Sequence, residues 1–154
     1  MNIHPDFEDF LKYLNEEGTE FVIVGGYAVA FHGYVRATND MDLFFRNTPA
    51  NISRIAKALS RFGLPTTINE QSRFADPGNI IRLGIPPVRL EMINNISGLS
   101  FDEVWERRTS GLYGETPVCY PCLPDLLRNK RESGRPKDLI DIDELGGNRA
   151  SSDR

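Results

Sequence analysis

The sequence predicts an α/β (α+β) fold, in which a small mixed β-sheet is flanked by helices. Short runs at Phe21–Val24, Asp40–Phe45 and Val88–Ile93 have the length and the apolar or β-branched character of strands. Between these runs, and at both ends of the chain, apolar residues recur at the spacing of an amphipathic helix. Strands that alternate with helical segments are typical of a sheet covered by helices.

Length and composition indicate one domain over residues 1–147. The chain has 154 residues, of which 40% are hydrophobic and 26% charged, as in ordinary globular proteins. Its formal charge of −4 argues against a general nucleic-acid coat, because neutralising phosphate requires clustered lysine and arginine. No apolar run is as long as a membrane span and the N-terminus has no signal-peptide core, so a cytoplasmic location is expected. Residues 148–154 are polar and are expected to form a flexible tail.

Proline and glycine mark the ends of the expected helices. Proline is favoured at the first position of a helix, and glycine adopts the left-handed backbone that often ends one. The expected helices run from Pro5 to Gly18, from Asn47 to Gly63, from Phe101 to Arg108, from Pro124 to Gly134 and from Pro136 to Leu145. The last two form a C-terminal helical hairpin that begins at about residue 123.

The remaining segments are predicted from turn residues and short apolar runs. These predict a short strand at Thr66–Ile68, a polar loop over residues 69–79, strands over residues 79–85 and 88–93 joined by Pro86-Pro87, a turn marked by Gly111 and Gly114, and a strand at Thr116–Tyr120. Cys119 and Cys122 lack nearby histidines and a redox context, and they are expected to be reduced structural cysteines.

The strand at Phe21–Val24 runs through Gly25-Gly26 directly into a helix at Tyr27–His32, which Gly33 closes. A strand that turns through glycines into a helix exposes backbone N–H groups and a positive dipole end, and both suit a phosphate. The simpler interpretation is a tight turn without a ligand.

Two aspartates follow on the next strand. If the chain is extended from Val35 onward, Asp40 and Asp42 lie on one face together with Arg36 and Thr38. Like charges on one strand face repel, so such a pair persists mainly where a cation neutralises it or where it faces open solvent. Paired carboxylates beside a phosphate-binding turn match the needs of a divalent metal and a nucleoside triphosphate.

Glu91 is a charge within an otherwise apolar strand. A buried carboxylate is costly without a partner, so Glu91 should meet a cation or open into a cleft. An exposed glutamate on an edge strand is the competing interpretation.

The order Gly25-Gly26, then Arg36-x-Thr38-x-Asp40-x-Asp42, resembles the signature of the polymerase-β-like nucleotidyltransferase superfamily. The likeness is greatest to small bacterial members, the minimal nucleotidyltransferases and the nucleotidyltransferase toxins of abortive-infection systems. Many members have Gly-Ser at the glycine turn, whereas Tyr27 follows Gly26 here.

The resemblance implies Mg²⁺-dependent transfer of a nucleoside monophosphate from a nucleoside triphosphate to an acceptor. Asp40 and Asp42 would bind two Mg²⁺ ions, with Glu91 as the third acid, and Gly25 and Gly26 would hold the triphosphate. The acceptor stays open between a small molecule such as an antibiotic, a protein hydroxyl and a tRNA end. An antitoxin partner and homo-oligomerisation are also open.

A second part of the resemblance lies near the C-terminus, in the pattern Lys130-x₄-Arg135-x-x-Asp138-x-x-Asp141. It implies that Lys130 lies near the triphosphate and that Asp138 is an acid at the start of the final helix. With Gly25, Gly26, Arg36 and Thr38, both are expected to bind the nucleotide. The alternative is a solvated basic corner over residues 128–137. A different class of function is also consistent with the sequence: a nucleotide-binding module of a toxin–antitoxin or regulatory system that keeps the fold without turnover.

Overall fold

The computed structural model describes residues 3–38, 40–85 and 88–147, and within them it contains a four-stranded sheet, a two-stranded hairpin and seven helices. The strands are β1 (Phe21–Val24), β2 (Asp40–Phe45), β3 (Ile80–Ile85), β4 (Val88–Ile93), β5 (Thr109–Tyr113) and β6 (Thr116–Tyr120). The helices are α1 (Pro5–Glu16), α2 (Gly25–Phe31), α3 (Pro49–Arg61), α4 (Ile68–Ala75), α5 (Phe101–Glu106), α6 (Leu123–Ser133) and α7 (Pro136–Glu144).

The larger sheet has the strand order β1-β2-β4-β3. β2 runs parallel to β4, whereas β1 pairs antiparallel with β2 and β3 pairs antiparallel with β4. The predicted small mixed sheet with flanking helices is therefore confirmed. The parallel pair requires a long connection, which α3, α4 and β3 provide.

One face of this sheet is apolar along its whole length. Ile23, Met41, Leu43 and Met92 are fully buried there, and they join side chains from α1, α2 and α3 in the main core. Because side chains alternate along a strand, the residues between them point to the opposite face.

The opposite face is divided. Val22, Val24 and Phe44 form a second apolar cluster with Leu99 and with Val104 of α5. The rest of this face carries charged residues of β2, β3 and β4, namely Asp40, Asp42, Arg82, Arg89 and Glu91. Helix packing thus covers one part of the face, and within the charged part Asp42 lines a cavity.

Asn51 joins the start of α3 to the ends of β1 and β2. Its buried amide accepts a hydrogen bond from the Glu20 N–H (2.8 Å) and donates to the carbonyls of Glu20 (3.0 Å) and Arg46 (2.8 Å). These contacts satisfy the Glu20 N–H and add a second hydrogen bond to the carbonyls of Glu20 and Arg46, which already accept from the N–H groups of Arg46 and Thr48.

Two sequence predictions in the connecting segments are wrong. No strand forms at Thr66–Ile68, and α4 (Ile68–Ala75) replaces residues 69–75 of the predicted loop, whereas residues 76–79 are outside any helix or strand as predicted. The Thr67 hydroxyl caps α4 by accepting from the Glu70 N–H at 3.1 Å. The apolar signal was weak because Phe74 is the only buried residue of this helix, while Ile68 is 84% exposed.

The second wrong prediction concerns Gly111, which lies within β5 and not in a turn. A Cβ at this position would come within 2.6 Å of the Phe31 ring, so glycine is required for close packing. Phe31 in turn stacks on Tyr120 with a centroid separation of 4.1 Å. The hairpin turn itself is at Gly114, which has a φ of 61°.

The predicted Pro86-Pro87 connection and the predicted tail over residues 148–154 lie outside the described residues. In the part of the chain that is described, no helix is both long enough and apolar enough to cross a membrane. Cys119 and Cys122 are free thiols, as expected.

We expect Asn51→Ala to lower the free energy of unfolding by about 2–3 kcal/mol, because it leaves the Glu20 N–H without a partner and removes one of two hydrogen bonds at each of the Glu20 and Arg46 carbonyls. Urea denaturation measures this loss. Asn47→Ala is the matched control, since the Asn47 amide is exposed and donates one hydrogen bond, to the Ala75 carbonyl. An equal loss in both variants would show that Asn51 has no special role.

Candidate active site

The three predicted acids lie on one face of the sheet. The register of the parallel pair places Asp40 opposite Arg89 and Asp42 opposite Glu91. Partner residues in adjacent strands are about 4.8 Å apart and point to the same side. Glu91 therefore lies beside Asp42, as the sequence predicted, and does not point to the opposite face.

Arginines neutralise two of these acids. Arg89 donates two hydrogen bonds to Asp40, from Nε (2.9 Å) and from Nη2 (2.8 Å), and its Nη2 lies 3.8 Å from Glu91. Arg82 on β3 donates to Glu91 at 3.0 Å. The expectation that Glu91 meets a cation is thus confirmed, and the cations are the guanidinium groups of Arg82 and Arg89.

Asp42 has no such partner. Its Oδ1 is buried and makes no hydrogen bond. Burial, the negative charges of Glu91 and Asp40 and a hydrogen bond with Glu91 together raise the pKa of Asp42 to about 7, against a smaller lowering by Lys137. A carboxylate in this state binds a proton or a cation readily.

Gly25 brings the turn after β1 into contact with Asp42. Its φ is 68°, in the left-handed region, and a Cβ at this position would collide with the Asp42 carboxylate. Gly26 is equally close to the next segment of the chain, because its Cβ would lie 2.8 Å from Thr38. Both glycines are therefore required by close approach, which the simple tight-turn interpretation does not explain.

Tyr27 occupies the position where many relatives have serine. It is 4% exposed and packs edge-on against Phe7 and Tyr113, with ring centroids 6.2 and 5.5 Å away. This side chain belongs to the core, so the exchange of serine for tyrosine adds packing on the apolar side of the sheet.

A cavity of about 330 Å³ adjoins Asp42. Three of the predicted site residues, Gly25, Asp42 and Lys130, line it. Polar side chains that were not predicted also line it, namely Asn79, Asn95, Asn129, Ser133 and Arg135. A second cavity, of about 780 Å³, lies between α1 and the β5–β6 hairpin and contains none of the predicted site residues. The candidate site is therefore the smaller cavity, which is identified by the residues that line it and not by its volume.

Lys130 is held in a buried ion network. Its Nζ lies 3.2 Å from Asp138 and 3.1 Å from Asp141, and the residue is 4% exposed. The interpretation of this region as a solvated basic corner is therefore wrong for Lys130. Burial alone would raise the pKa of Asp138, but hydrogen bonds from Arg135 and Ser133 and the charge of Lys130 bring it down to about 2.

Arg36 is not on the strand face that the sequence predicted. Residues 34–38 are not part of β2, and Arg36 instead donates two hydrogen bonds to Asp141, at 2.8 and 3.0 Å. Thr38 donates to the carbonyl of Asp40 at 3.2 Å and contacts Gly26. The prediction that Arg36 and Thr38 share a strand face with the aspartates was wrong because β2 begins only at Asp40. Neither Arg36 nor Thr38 lines the cavity.

The three acids differ in how free their oxygens are to hold a metal. Among the residues that the structure describes, no group of three or more His, Cys, Asp and Glu side chains is arranged to hold a metal ion as it stands. Arg89 and Arg82 occupy the oxygens of Asp40 and Glu91. The unpartnered Oδ1 of Asp42, next to Glu91, nevertheless fits a hard cation such as Mg²⁺, which prefers carboxylate oxygen.

Sequence reasoning missed Arg135 and Arg89 as members of the site. Arg89 is two residues before Glu91 in β4, so alternation puts both side chains on one face, and that was the available signal. Arg135 lay within the C-terminal motif, but its position on the cavity wall depends on how α6 meets α7.

Solved structures with the same fold are nucleotidyltransferases or resemble them. A candidate nucleotidyltransferase from Thermotoga maritima superposes with a TM-score of 0.62 at 15% identity, covering 96% of this chain and 97% of that one. The antibiotic-resistance factor ANT(2'')-Ia gives a TM-score of 0.61 at 13% identity, covering 96% and 84%. An antigenic nucleotidyltransferase-like protein from Paracoccidioides brasiliensis gives 0.53 at 18% identity, covering 90% and 71%.

These matches define the class: the chain has a nucleotidyltransferase fold. In sequence, the family model of nucleotidyltransferases of unknown function (DUF6036) matches residues 3–146. The chain therefore belongs to this family and is a nucleotidyltransferase. Among curated proteins, none matches it in sequence.

We expect Gly25→Ala to be more damaging than Gly18→Ala, although both glycines have left-handed backbone, with φ of 68° and 74°. A Cβ at Gly18 meets nothing, so that change costs about 1 kcal/mol from backbone strain alone. At position 25 the collision with Asp42 adds roughly 1–3 kcal/mol. Urea denaturation of both variants measures the difference, and equal losses would contradict the close approach.

The raised pKa of Asp42 predicts a pH dependence of stability. Between its ordinary pKa of 3.8 and about 7, the unfolded chain loses this proton before the folded chain does, so stability falls as pH rises through that window. Asp42→Asn removes this effect. We expect the variant to gain about 2 kcal/mol over the wild type at pH 8 and little at pH 4, measured by urea denaturation without metal. A gain that is the same at both pH values would be contrary to this assignment.

Proposed function

We propose that this protein transfers a nucleoside monophosphate from a nucleoside triphosphate to an acceptor, in a Mg²⁺-dependent reaction at the cavity beside Asp42. The observation that carries the proposal is the unpartnered, buried Oδ1 of Asp42, next to Glu91 and against the glycine turn of a nucleotidyltransferase fold. A structural carboxylate in such a position would normally be paired.

Asp42, Glu91 and Asp40 are the residues that would hold Mg²⁺. When bound, the ion polarises phosphoryl oxygens and offsets the charge that develops during transfer. The carboxylates themselves must be ionised for this role, and the cation favours that state of Asp42 over the protonated one.

The remaining residues of the cavity suit a polyphosphate. Gly25 lines the cavity at the start of α2, and its backbone N–H is not used by a side-chain cap. Lys130 and Arg135 lie on the opposite wall, where together with Arg36 they carry three positive charges against the two negative charges of Asp138 and Asp141. Asn95 and Asn129 offer neutral donors there. A volume of about 330 Å³ is at the lower end of the range for small-molecule sites, which suits the triphosphate part of a nucleotide.

Asp138 and Asp141 have a positioning role in this proposal. Both carboxylates hold Lys130, and Asp141 also holds Arg36, which follows α2 in the chain. Arg36 thereby ties the segment before Asp40 to α7. The role implied for Asp138 as a nucleotide contact becomes an indirect one, through Lys130.

The acceptor is left undefined among a small molecule, a protein hydroxyl and a tRNA end. ANT(2'')-Ia is an antibiotic-resistance factor, but at 13% identity the likeness carries its fold and not its acceptor. We take residues 1–147 as one catalytic domain, with no assigned role for an antitoxin.

A second candidate function is nucleotide binding without turnover. The pairing of Asp40 and Glu91 with arginines favours it, because a non-catalytic descendant of the fold would keep its acids neutralised in this manner. The two functions differ in whether pyrophosphate is released.

The deciding experiment incubates the purified chain with Mg²⁺ and each of the four labelled nucleoside triphosphates, together with separate small-molecule, protein and tRNA fractions of a cell lysate. We expect label in one fraction and release of pyrophosphate in the same reaction. Asp42→Asn should abolish both. Glu91→Gln should reduce the turnover rate roughly 100-fold or more with little change in nucleotide affinity, as for a group that acts in the transition state.

Glu144→Gln is the matched control, since this carboxylate is exposed near the end of α7. Melting curves establish that all variants are folded. Nucleotide binding without pyrophosphate release in any fraction would favour the second function. Full activity of Asp42→Asn would refute the proposed site.

A further inference from the structure

Arg89 contacts two of the three carboxylates on the charged part of the sheet face. It lies directly across the parallel ladder from Asp40, holds both oxygens of that carboxylate, and places Nη2 3.8 Å from Glu91. Arg82 approaches Glu91 from the other side, with a single hydrogen bond of 3.0 Å.

The two arginines offset the charge of two of the three carboxylates without a metal. Three carboxylates on adjacent positions repel one another, and the two arginines supply two positive charges against them. Asp42 is the carboxylate that remains without an arginine, and it is the one whose Oδ1 is unpartnered. The open position is therefore at Asp42, and the adjacent acids are already held in place.

Arg89 combines a fixed backbone with a side chain that can move. Its backbone belongs to β4 in the interior of the sheet, whereas its side chain is 32% exposed. The planar guanidinium binds carboxylate and phosphate in the same two-pronged geometry, so exchange from one to the other costs little in fit. A lysine at this position would make a single point contact.

From these contacts we propose that Arg89 is a resident counterion, which holds Asp40 and Glu91 while no metal is bound and turns to the nucleotide's phosphates when a divalent cation binds the acids. This inference rests on the proposed nucleotide site, and it concerns Arg89 as a positioning residue that becomes a phosphate ligand. It predicts opposite effects on two ligands. Removing the guanidinium removes a competitor of the metal and also removes a partner of the phosphates.

The test measures these two affinities separately in the full-length chain. Mn²⁺ binding is followed by electron paramagnetic resonance, and Mg²⁺–triphosphate binding by calorimetry with inorganic triphosphate, which avoids any dependence on the base. For Arg89→Gln we expect Mn²⁺ to bind about 3- to 10-fold more tightly, since one neutralising charge is lost. We expect Mg²⁺–triphosphate to bind roughly 10-fold more weakly, since one charge-assisted bidentate contact is lost.

Arg89→Lys separates charge from geometry and is the second variant if the glutamine variant does not fold. It keeps the positive charge, so Mn²⁺ affinity should stay within about 2-fold of the wild type, while Mg²⁺–triphosphate affinity should still fall several-fold. Arg61→Gln is the matched control, because Arg61 also forms an ion pair on the surface, with Glu16 at 2.7 Å. It should change neither affinity.

A purely structural ion pair would lower both affinities together or leave both unchanged, and either result would overturn the inference. Opposite shifts support it. If opposite shifts occur but no fraction accepts a nucleotide, the proposed transfer fails while the role of Arg89 stands. If transfer occurs with unchanged Mn²⁺ affinity in Arg89→Gln, the counterion role alone fails.

Discussion

The parallel pairing of β2 with β4 is the interaction on which the rest of the site depends. It places Asp42 beside Glu91 and Asp40 beside Arg89, although the two paired segments are 49 positions apart in the sequence. On the other face of the same strands, Met41, Leu43 and Met92 are fully buried. The alternation of a strand thus lets one ladder supply both the apolar core and a row of unfavourable negative charges.

The stability of the core makes this charge row tolerable. A side chain such as Met92 gains about 2 kcal/mol on burial, and several such residues pack under each strand. Repulsion among the carboxylates is of similar size per pair, and arginines offset part of it. The residual cost is concentrated at Asp42, where a cation would relieve it.

The C-terminal helices are attached to the site by a buried ion network and not by strand pairing. Lys130, Asp138 and Asp141 are nearly inaccessible, and Arg36 reaches them from the segment before β2. Removing one member of such a network leaves an unpaired buried charge, which is more damaging than the net contribution of the pair would suggest. The network is therefore suited to fixing the geometry of the cavity wall and gives little net stability.

Local patterns in the sequence predicted the mixed sheet, the bounds of β2 and β4, the glycine turn and the shared face of the three acids. Each of these follows from alternation or from backbone requirements within a few residues, and the structure confirms the placement of Asp40, Asp42 and Glu91 on one face. The metal-binding and catalytic roles of these residues stay predictions.

The failures arose where contacts between distant segments decide the outcome. α4 carries one buried residue, so its helical pattern was too weak to recognise. Arg36 binds Asp141, 105 positions away, and no local rule connects the two. Gly111 was interpreted as a turn residue because the packing of Phe31 against β5 cannot be read from neighbouring positions.

The order of these segments along the chain has a consequence for biosynthesis. The glycine turn and both aspartates leave the ribosome early, whereas Glu91 follows only with β4 and the partners of Lys130 follow only with α7. A nascent chain that already contains the Gly-Gly and Asp-x-Asp elements still lacks the opposite wall of the cavity. Synthesis must therefore reach α7 before the pocket can be assembled, which keeps shorter translation products from having a complete site.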